Sequence, residues 1–252
     1  MLSKSRISLL QSLQQKKFRK QHGVFLVEGY KSVIEFVNSA YQIEAIYYSP
    51  ASGSKLSKLL HNKNTAEVSL TILEKISSLK TAPDVVAVVK IPDWDNLKPV
   101  SLKNKFSLAL DGVQDPGNMG TIIRTADWYG IQDIICSEDT VDVYNPKVVQ
   151  ATMGSLSRIN LRYTDLASVL TDAQMPVYGA LLNGENIYST TFASEGLVVM
   201  GNEGNGLRPE ITRLVTEAIT IPRVGEAESL NVAIATAIFC SEISRNKLAG
   251  NK

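Results

Sequence analysis

Hydrophobic positions along this chain fall in short bursts whose period switches repeatedly between that of a strand and that of a helix. The run Val24 to Glu28 reads as a strand, about Gly29 to Asn38 as a helix and Ile43 to Tyr48 as a second strand. The rhythm continues with a helix near Lys55 to His61, a strand near Ala66 to Leu70, a helix over Thr71 to Leu79 and a strand over Asp84 to Lys90. Alternation of this kind predicts a small α/β layer. Ahead of it, Ile7, Leu10 and Leu13 are spaced for one face of a helix.

From Ile91 the periodicity stops. Pro92, Pro99, Asp93, Asp95, Asn96 and Asn104 interrupt it, as expected of an interdomain linker, so the reading is a domain over 1–92, a linker over 93–105 and a second domain over 106–252. In the second domain, strands are expected at Phe106 to Asp111, Ile131 to Cys136, Ile159 to Tyr163, Val177 to Leu181, Leu197 to Gly201 and Ala218 to Ile221. Short apolar strands separated by helices predict an α/β fold with a parallel sheet covered on both faces. No solenoid-period repeat interrupts this pattern.

Composition narrows the picture only slightly. With 252 residues and 44% hydrophobic content the chain is ordinary globular material. Its 26 basic and 25 acidic side chains nearly cancel, so any attraction to nucleic acid must come from local patches. One such patch is the start, where Lys4, Arg6, Lys16, Lys17, Arg19 and Lys20 occur with no acid among them. That run is either a solvated helix face or a contact for RNA phosphates. Cys136 and Cys240 lie in apolar surroundings and read as buried free thiols rather than a disulfide. No apolar run approaches the ~20 residues that span a bilayer, and a cytoplasmic location is the default expectation. His22 and His61 are the only histidines and no Cys-x-x-Cys spacing exists, so no metal site is expected.

Three polar, glycine-bearing loops carry the candidate chemistry. The first, Asp111 to Gly120, leaves a strand and enters a helix with Met119, Ile122, Ile123 and Ala126 on its inward stripe. Asn118 there is either a helix N-cap or part of a ligand site, and Arg124 either pairs with Asp127 or faces a ligand beyond the strand ends. The second, Gly201 to Gly206, has three glycines in six positions, which permits close backbone approach to a ligand or simply a tight turn. In the third, Pro222 to Glu228 leads to Ser229-Leu230-Asn231, where Ser229 is a candidate cap for a helix whose apolar face includes Val232, Ala235 and Phe239. A dinucleotide fold would need Gly-x-Gly-x-x-Gly after its first strand, and these loops come late and lack that format.

Taken in order, Asn118 to Ala126, Gly201 to Leu207 and Ile221 to Ala233 resemble the signature motifs of the SPOUT RNA methyltransferases, in the SpoU or TrmH branch that methylates ribose 2′-hydroxyls. The likeness covers roughly Phe106 to Arg245. It implies a parallel-sheet domain with a deep trefoil knot, a bound S-adenosylmethionine, an RNA substrate and a homodimer. By the same resemblance Arg124, Asn118, Glu203, Ser229 and Asn231 form the catalytic set, and Leu181, Gly201, Ile221, Pro222 and Leu230 hold the cofactor. Arg124 then positions the RNA phosphate or serves as a base, although a guanidinium surrenders its proton reluctantly. Residues 1 to about 90, with the entry Phe25-Leu26-Val27-Glu28-Gly29, resemble the L30e-like substrate-binding domain that often precedes SpoU domains, and Lys16, Lys17, Arg19 and Lys20 are its candidate RNA contacts. Large-subunit 23S ribosomal RNA is the preferred target. Transfer RNA, or a non-catalytic ribosome-bound role, is the alternative.

Overall fold

A computed structural model describes residues 2–53, 64–92 and 102–250. In chain order the first elements are α1 (Lys4–Ser12), α2 (Lys16–His22), β1 (Val24–Glu28), α3 (Tyr30–Val37), β2 (Ile43–Tyr48), β3 (Thr65–Glu67), α4 (Leu70–Ile76) and β4 (Val85–Lys90). There follow β5 (Phe106–Leu110), α5 (Pro116–Trp128), β6 (Asp133–Cys136), α6 (Pro146–Ala151), β7 (Asn160–Tyr163), α7 (Leu166–Thr171), β8 (Val177–Asn186), β9 (Gly196–Met200), α8 (Pro209–Thr212), β10 (Glu217–Thr220) and α9 (Val232–Gly250). The helix expected near Lys55 to His61 and most of the expected linker lie outside the described residues.

Two compact units emerge. One holds the described residues up to 92 together with 142–157, and the other holds 102–141 and 158–250. In the first unit the sheet runs β1-β4-β2-β3, with β4 antiparallel to both neighbours and β3 parallel to β2. Helix α2 stops at Gly23, whose φ of 63° suits a residue without a side chain and swings the chain into β1. Leu10, Leu13, Leu73 and Ile76 pack with Val24, Leu26, Val86 and Val88 into one apolar core. Phe25 stacks near Phe36 and near Tyr144, the latter contributed by 142–157, a segment that follows β6 in sequence.

The second unit is a six-stranded sheet in the order β10-β8-β9-β5-β6-β7, and every neighbouring pair is parallel. Strands β5 and β9 are buried along their whole length, as apolar strands sandwiched between helices must be. The chain builds outward from β5 to β7, then crosses back to lay β8, β9 and β10 on the other side, so the order reverses between β5 and β9. Open α/β sheets form their ligand crevice at such a reversal, beyond the carboxyl ends of the strands.

Strand β8 runs further than the expected Val177 to Leu181. Ala218 of β10 pairs with Gly179, but the next residue, Ile219, pairs with Glu185, leaving 180–184 as a bulge. Pairing resumes at Glu185, and just before it Gly184 passes so close to β10 that a Cβ there would collide with the Ala218 carbonyl. Both cysteines are free and buried, and burial pushes their thiols up, that of Cys240 to about 12. Among the described residues no helix is long and apolar enough to cross a membrane, and no His, Cys, Asp and Glu group could hold a metal.

Candidate active site

The first and second loops leave β5 and β9, the two strands at the reversal. Asp115, not Asn118, caps α5: its carboxylate accepts the Asn118 backbone N–H at 2.8 Å, and Pro116 follows in the first helical position. Asn118 sits inside the first turn, which frees its side chain for other partners. Its Nδ2 donates to Glu203 Oε1 at 3.0 Å. Glu203 also accepts the backbone N–H groups of Gln114 at 3.2 Å and Asp115 at 3.1 Å.

The second loop closes on itself. Asn202 and Gly206 exchange backbone hydrogen bonds of 2.9 and 3.0 Å, and a Cβ on Gly201 would lie 2.3 Å from the Gly206 carbonyl carbon, so only glycine fits there. Asn202 Oδ1 accepts the N–H of Gly204 at 2.9 Å, while its Nδ2 donates to the Gly112 carbonyl at 2.7 Å. That last bond ties the second loop to the first.

The third loop joins through its helix. Asn231, not Ser229, caps α9, accepting the N–H groups of Ala233 at 2.9 Å and Ile234 at 3.3 Å. Its Nδ2 donates to Asn118 Oδ1 at 2.9 Å. A continuous chain Asn231–Asn118–Glu203 therefore spans all three loops, with each amide held in one orientation because both its ends are engaged. Burial pulls the Glu203 carboxyl upward, but hydrogen bonds from the Asn118 amide and from nearby backbone N–H groups outweigh it and hold the group below the usual glutamate range.

Arg124 lies beyond this chain on α5. It is exposed, and of the two readings of its side chain the pairing with Asp127 is not formed: Asp127 accepts from Arg158, Nη2 to Oδ2 at 2.7 Å. Among the described residues Arg124 has no side-chain hydrogen bond or ion pair, so its guanidinium is available to an anion. Ser229 is exposed two residues before the cap, outside the amide chain.

The candidate cofactor residues gather along one edge of the sheet. Gly201 follows β9, Leu181 lies in the β8 bulge, and Ile221 and Pro222 follow β10; the three strands are neighbours and parallel. Leu230, half exposed, directly precedes Asn231. Leu181 also packs on the core formed by Val177, Leu197 and Val199, which leaves it partly exposed. The turn at Gly201 admits no side chain, and Ile221 and Leu230 are at least partly exposed, so main-chain groups and apolar side chains of the kinds that meet a nucleoside's polar edge and flat base are both present.

In the first unit, Lys16, Lys17 and Lys20 are exposed on α2. Arg19 is not available to RNA: only 3% exposed, it donates to the carbonyls of Leu13 and Gln14 and forms a 2.5 Å ion pair with Asp142. The reason is geometric, since Arg19 turns toward the 142–157 segment while its basic neighbours face solvent. Asp115, Gln114, Asn202 and the pair Asp111–Arg208 were missed from sequence. Only Asp115 had a local signal, the acid before Pro116 that marks a helix start.

Residues 105–241 match the SpoU rRNA Methylase family, and residues 4–87 match the MRM3-like substrate binding domain. The chain is 30% identical over 231 residues to the 23S rRNA (guanosine(2553)-2′-O)-methyltransferase RlmP of Bacillus subtilis (strain 168), covering 90% of this chain and 91% of that one. The AdoMet-bound rRNA methyltransferase from Sinorhizobium meliloti superposes with a TM-score of 0.86 at 29% identity, covering 97% of both chains. The SpoU methyltransferase AviRb from Streptomyces viridochromogenes, in complex with AdoMet, gives 0.86 at 26% identity, covering 98% of this chain and 99% of that one.

Proposed function

This chain belongs to the SpoU rRNA methylase family, with an MRM3-like substrate-binding domain ahead of the methylase domain, and from that premise we propose that it methylates a ribose 2′-hydroxyl of 23S ribosomal RNA using S-adenosylmethionine. The observation that carries the reading is the amide chain Asn231–Asn118–Glu203, which joins three motif loops at the reversal of a parallel sheet.

When bound, the donor supplies a methyl group on a positively charged sulfur, an electrophile that needs no metal. Gly201, Ile221, Leu230, Leu181 and Pro222, which lie in or directly after β8, β9 and β10 or just before the Asn231 cap, would hold its adenosine end. Arg124 takes an RNA phosphate and brings the neighbouring sugar oxygen into line; orientation of this kind supplies several kcal/mol of a barrier. The hydrogen bonds among Asn118, Asn231 and Glu203 hold these side chains in fixed orientations, so the site would reorganise little as charge moves. Ser229, exposed and next to Leu230, would face the bound substrate.

The substrate is gripped mainly by the first unit, where Lys16, Lys17 and Lys20 meet phosphates. Exposed Trp128 on α5 and Ile234 and Leu248 on α9 favour pairing of two chains into a homodimer, which sedimentation would detect. A ribosomal RNA substrate supports a cytoplasmic location, where ribosomes are assembled and work.

Incubating the purified protein with methyl-labelled donor and separate pools of 23S fragments and transfer RNA tests the reading. Label is expected in a 23S fragment, at one linkage resistant to alkali. Label in transfer RNA alone would move the target, and no label in any pool would end the enzymatic reading.

A further inference from the structure

One buried acid outside the amide chain holds the same loops. Asp111 stands immediately after β5, and its carboxylate is fully shielded from solvent. Its backbone N–H donates to the Met200 carbonyl at 2.9 Å, where the second loop begins. The carboxylate meets Arg208, where that loop has returned. Oδ2 accepts the Arg208 backbone N–H at 2.8 Å, and Oδ1 accepts Nε at 2.7 Å and lies 2.6 Å from Nη2. Both ends of the Gly201 to Leu207 loop are thus fastened to one residue of the first loop's strand.

Two further observations separate this pair from an ordinary surface ion pair. Nε and Nη2 of Arg208 converge on Oδ1 while its backbone N–H takes Oδ2, so among the described residues one residue meets both oxygens of a carboxylate shielded from solvent, and losing it would strand a buried charge. The loop it fixes carries Asn202 and Glu203, and Glu203 in turn orients Asn118. Asp139 and Glu210 lie near enough to attract the same guanidinium, so Arg208 offsets the charge of several acids on that edge.

We propose that Arg208, through its clasp on Asp111, is a positioning residue for methyl transfer, setting the height of the second loop and hence the orientation of Glu203 and Asn118. This rests on the methyltransferase reading of the site. The reaction itself needs no chemistry from Arg208.

The test is a cycle of Arg208→Ala and Glu203→Gln, alone and together, with kcat, donor KM and RNA KM measured on folded protein. Arg208→Ala is expected to lower kcat about 10- to 100-fold, the scale of a misplaced reacting group, with RNA KM unchanged. The double variant is expected to be no slower than Glu203→Gln alone, because both changes disturb one loop. A kcat within about twofold of wild type for Arg208→Ala, or losses that multiply, would overturn the inference. Should Arg208→Ala fail to fold, Arg208→Lys takes its place in the cycle, since an ammonium keeps the charge and loses the fork. A wild-type protein that transfers no label fails the parent reading instead, so the two failures are distinct.

Discussion

The side chain of Asn231 reaches across 113 residues of sequence to donate to Asn118 Oδ1 at 2.9 Å, linking the first turn of α5 to the cap of α9. The same Asn118 amide donates to Glu203, so one side chain is the junction of the site. Asn118→Ala is expected to lower kcat about 100-fold, comparable to removing one preorganised polar group from an active site. Asn118→Asp should be at least as damaging, because it sets a second carboxylate against Glu203. Steady-state kinetics on folded protein checks both, and a wild-type rate for either would remove the junction from catalysis.

Arg124 separates activity from stability. It is exposed and without a described partner, so Arg124→Ala should change stability by no more than about 0.5 kcal/mol. Methyl transfer should fall at least about 100-fold. Arg124→Lys should recover only part of that loss, since an ammonium cannot hold a phosphate through two parallel bonds. Thermal melts beside labelled-methyl assays give the comparison.

Glu203 makes the site acid-sensitive. Its carboxyl is held below the ordinary range in the folded protein, so it contributes stability that is fully present above the unfolded glutamate value. That contribution fades as pH falls through the lower, folded value. Melting temperature followed down through the acid range should therefore drop more steeply for wild type than for Glu203→Gln. Parallel curves would show that Glu203 gains nothing from the N–H groups and amide around it.

The basic start divides into two roles. Arg19→Ala leaves Asp142 without its guanidinium, and breaking a pair this shielded costs about 3–5 kcal/mol. Replacing Lys16, Lys17 and Lys20 together should leave the melting temperature in place, weaken RNA binding and flatten its salt dependence by about 0.7 per lost phosphate contact on a log–log plot. Calorimetry and filter binding at several salt concentrations distinguish the two outcomes.

Much of the fold was legible because periodicity reports burial. The largely apolar runs of β5 and β9 announced a parallel sheet with both faces covered, and the structure has that sheet. The excursion 142–157 was not legible, because nothing local marks a segment that packs with residues far earlier in the chain. Arg19 was misread for the same reason: its partner lies 123 positions away. The capping alternatives for Asn118 and Ser229 failed more instructively. Any short polar residue before a helix can serve as a cap, and the choice of Asp115 and Asn231 left Asn118 free to bridge two loops.

The most direct measurement maps 2′-O-methyl groups on 23S ribosomal RNA from cells with and without this gene. One ribose should lose its methyl on deletion, regain it with the wild-type gene and stay bare with an Arg124→Ala gene. An unchanged set of methylated riboses in the deleted strain would contradict the assignment of this site to ribosomal RNA methylation.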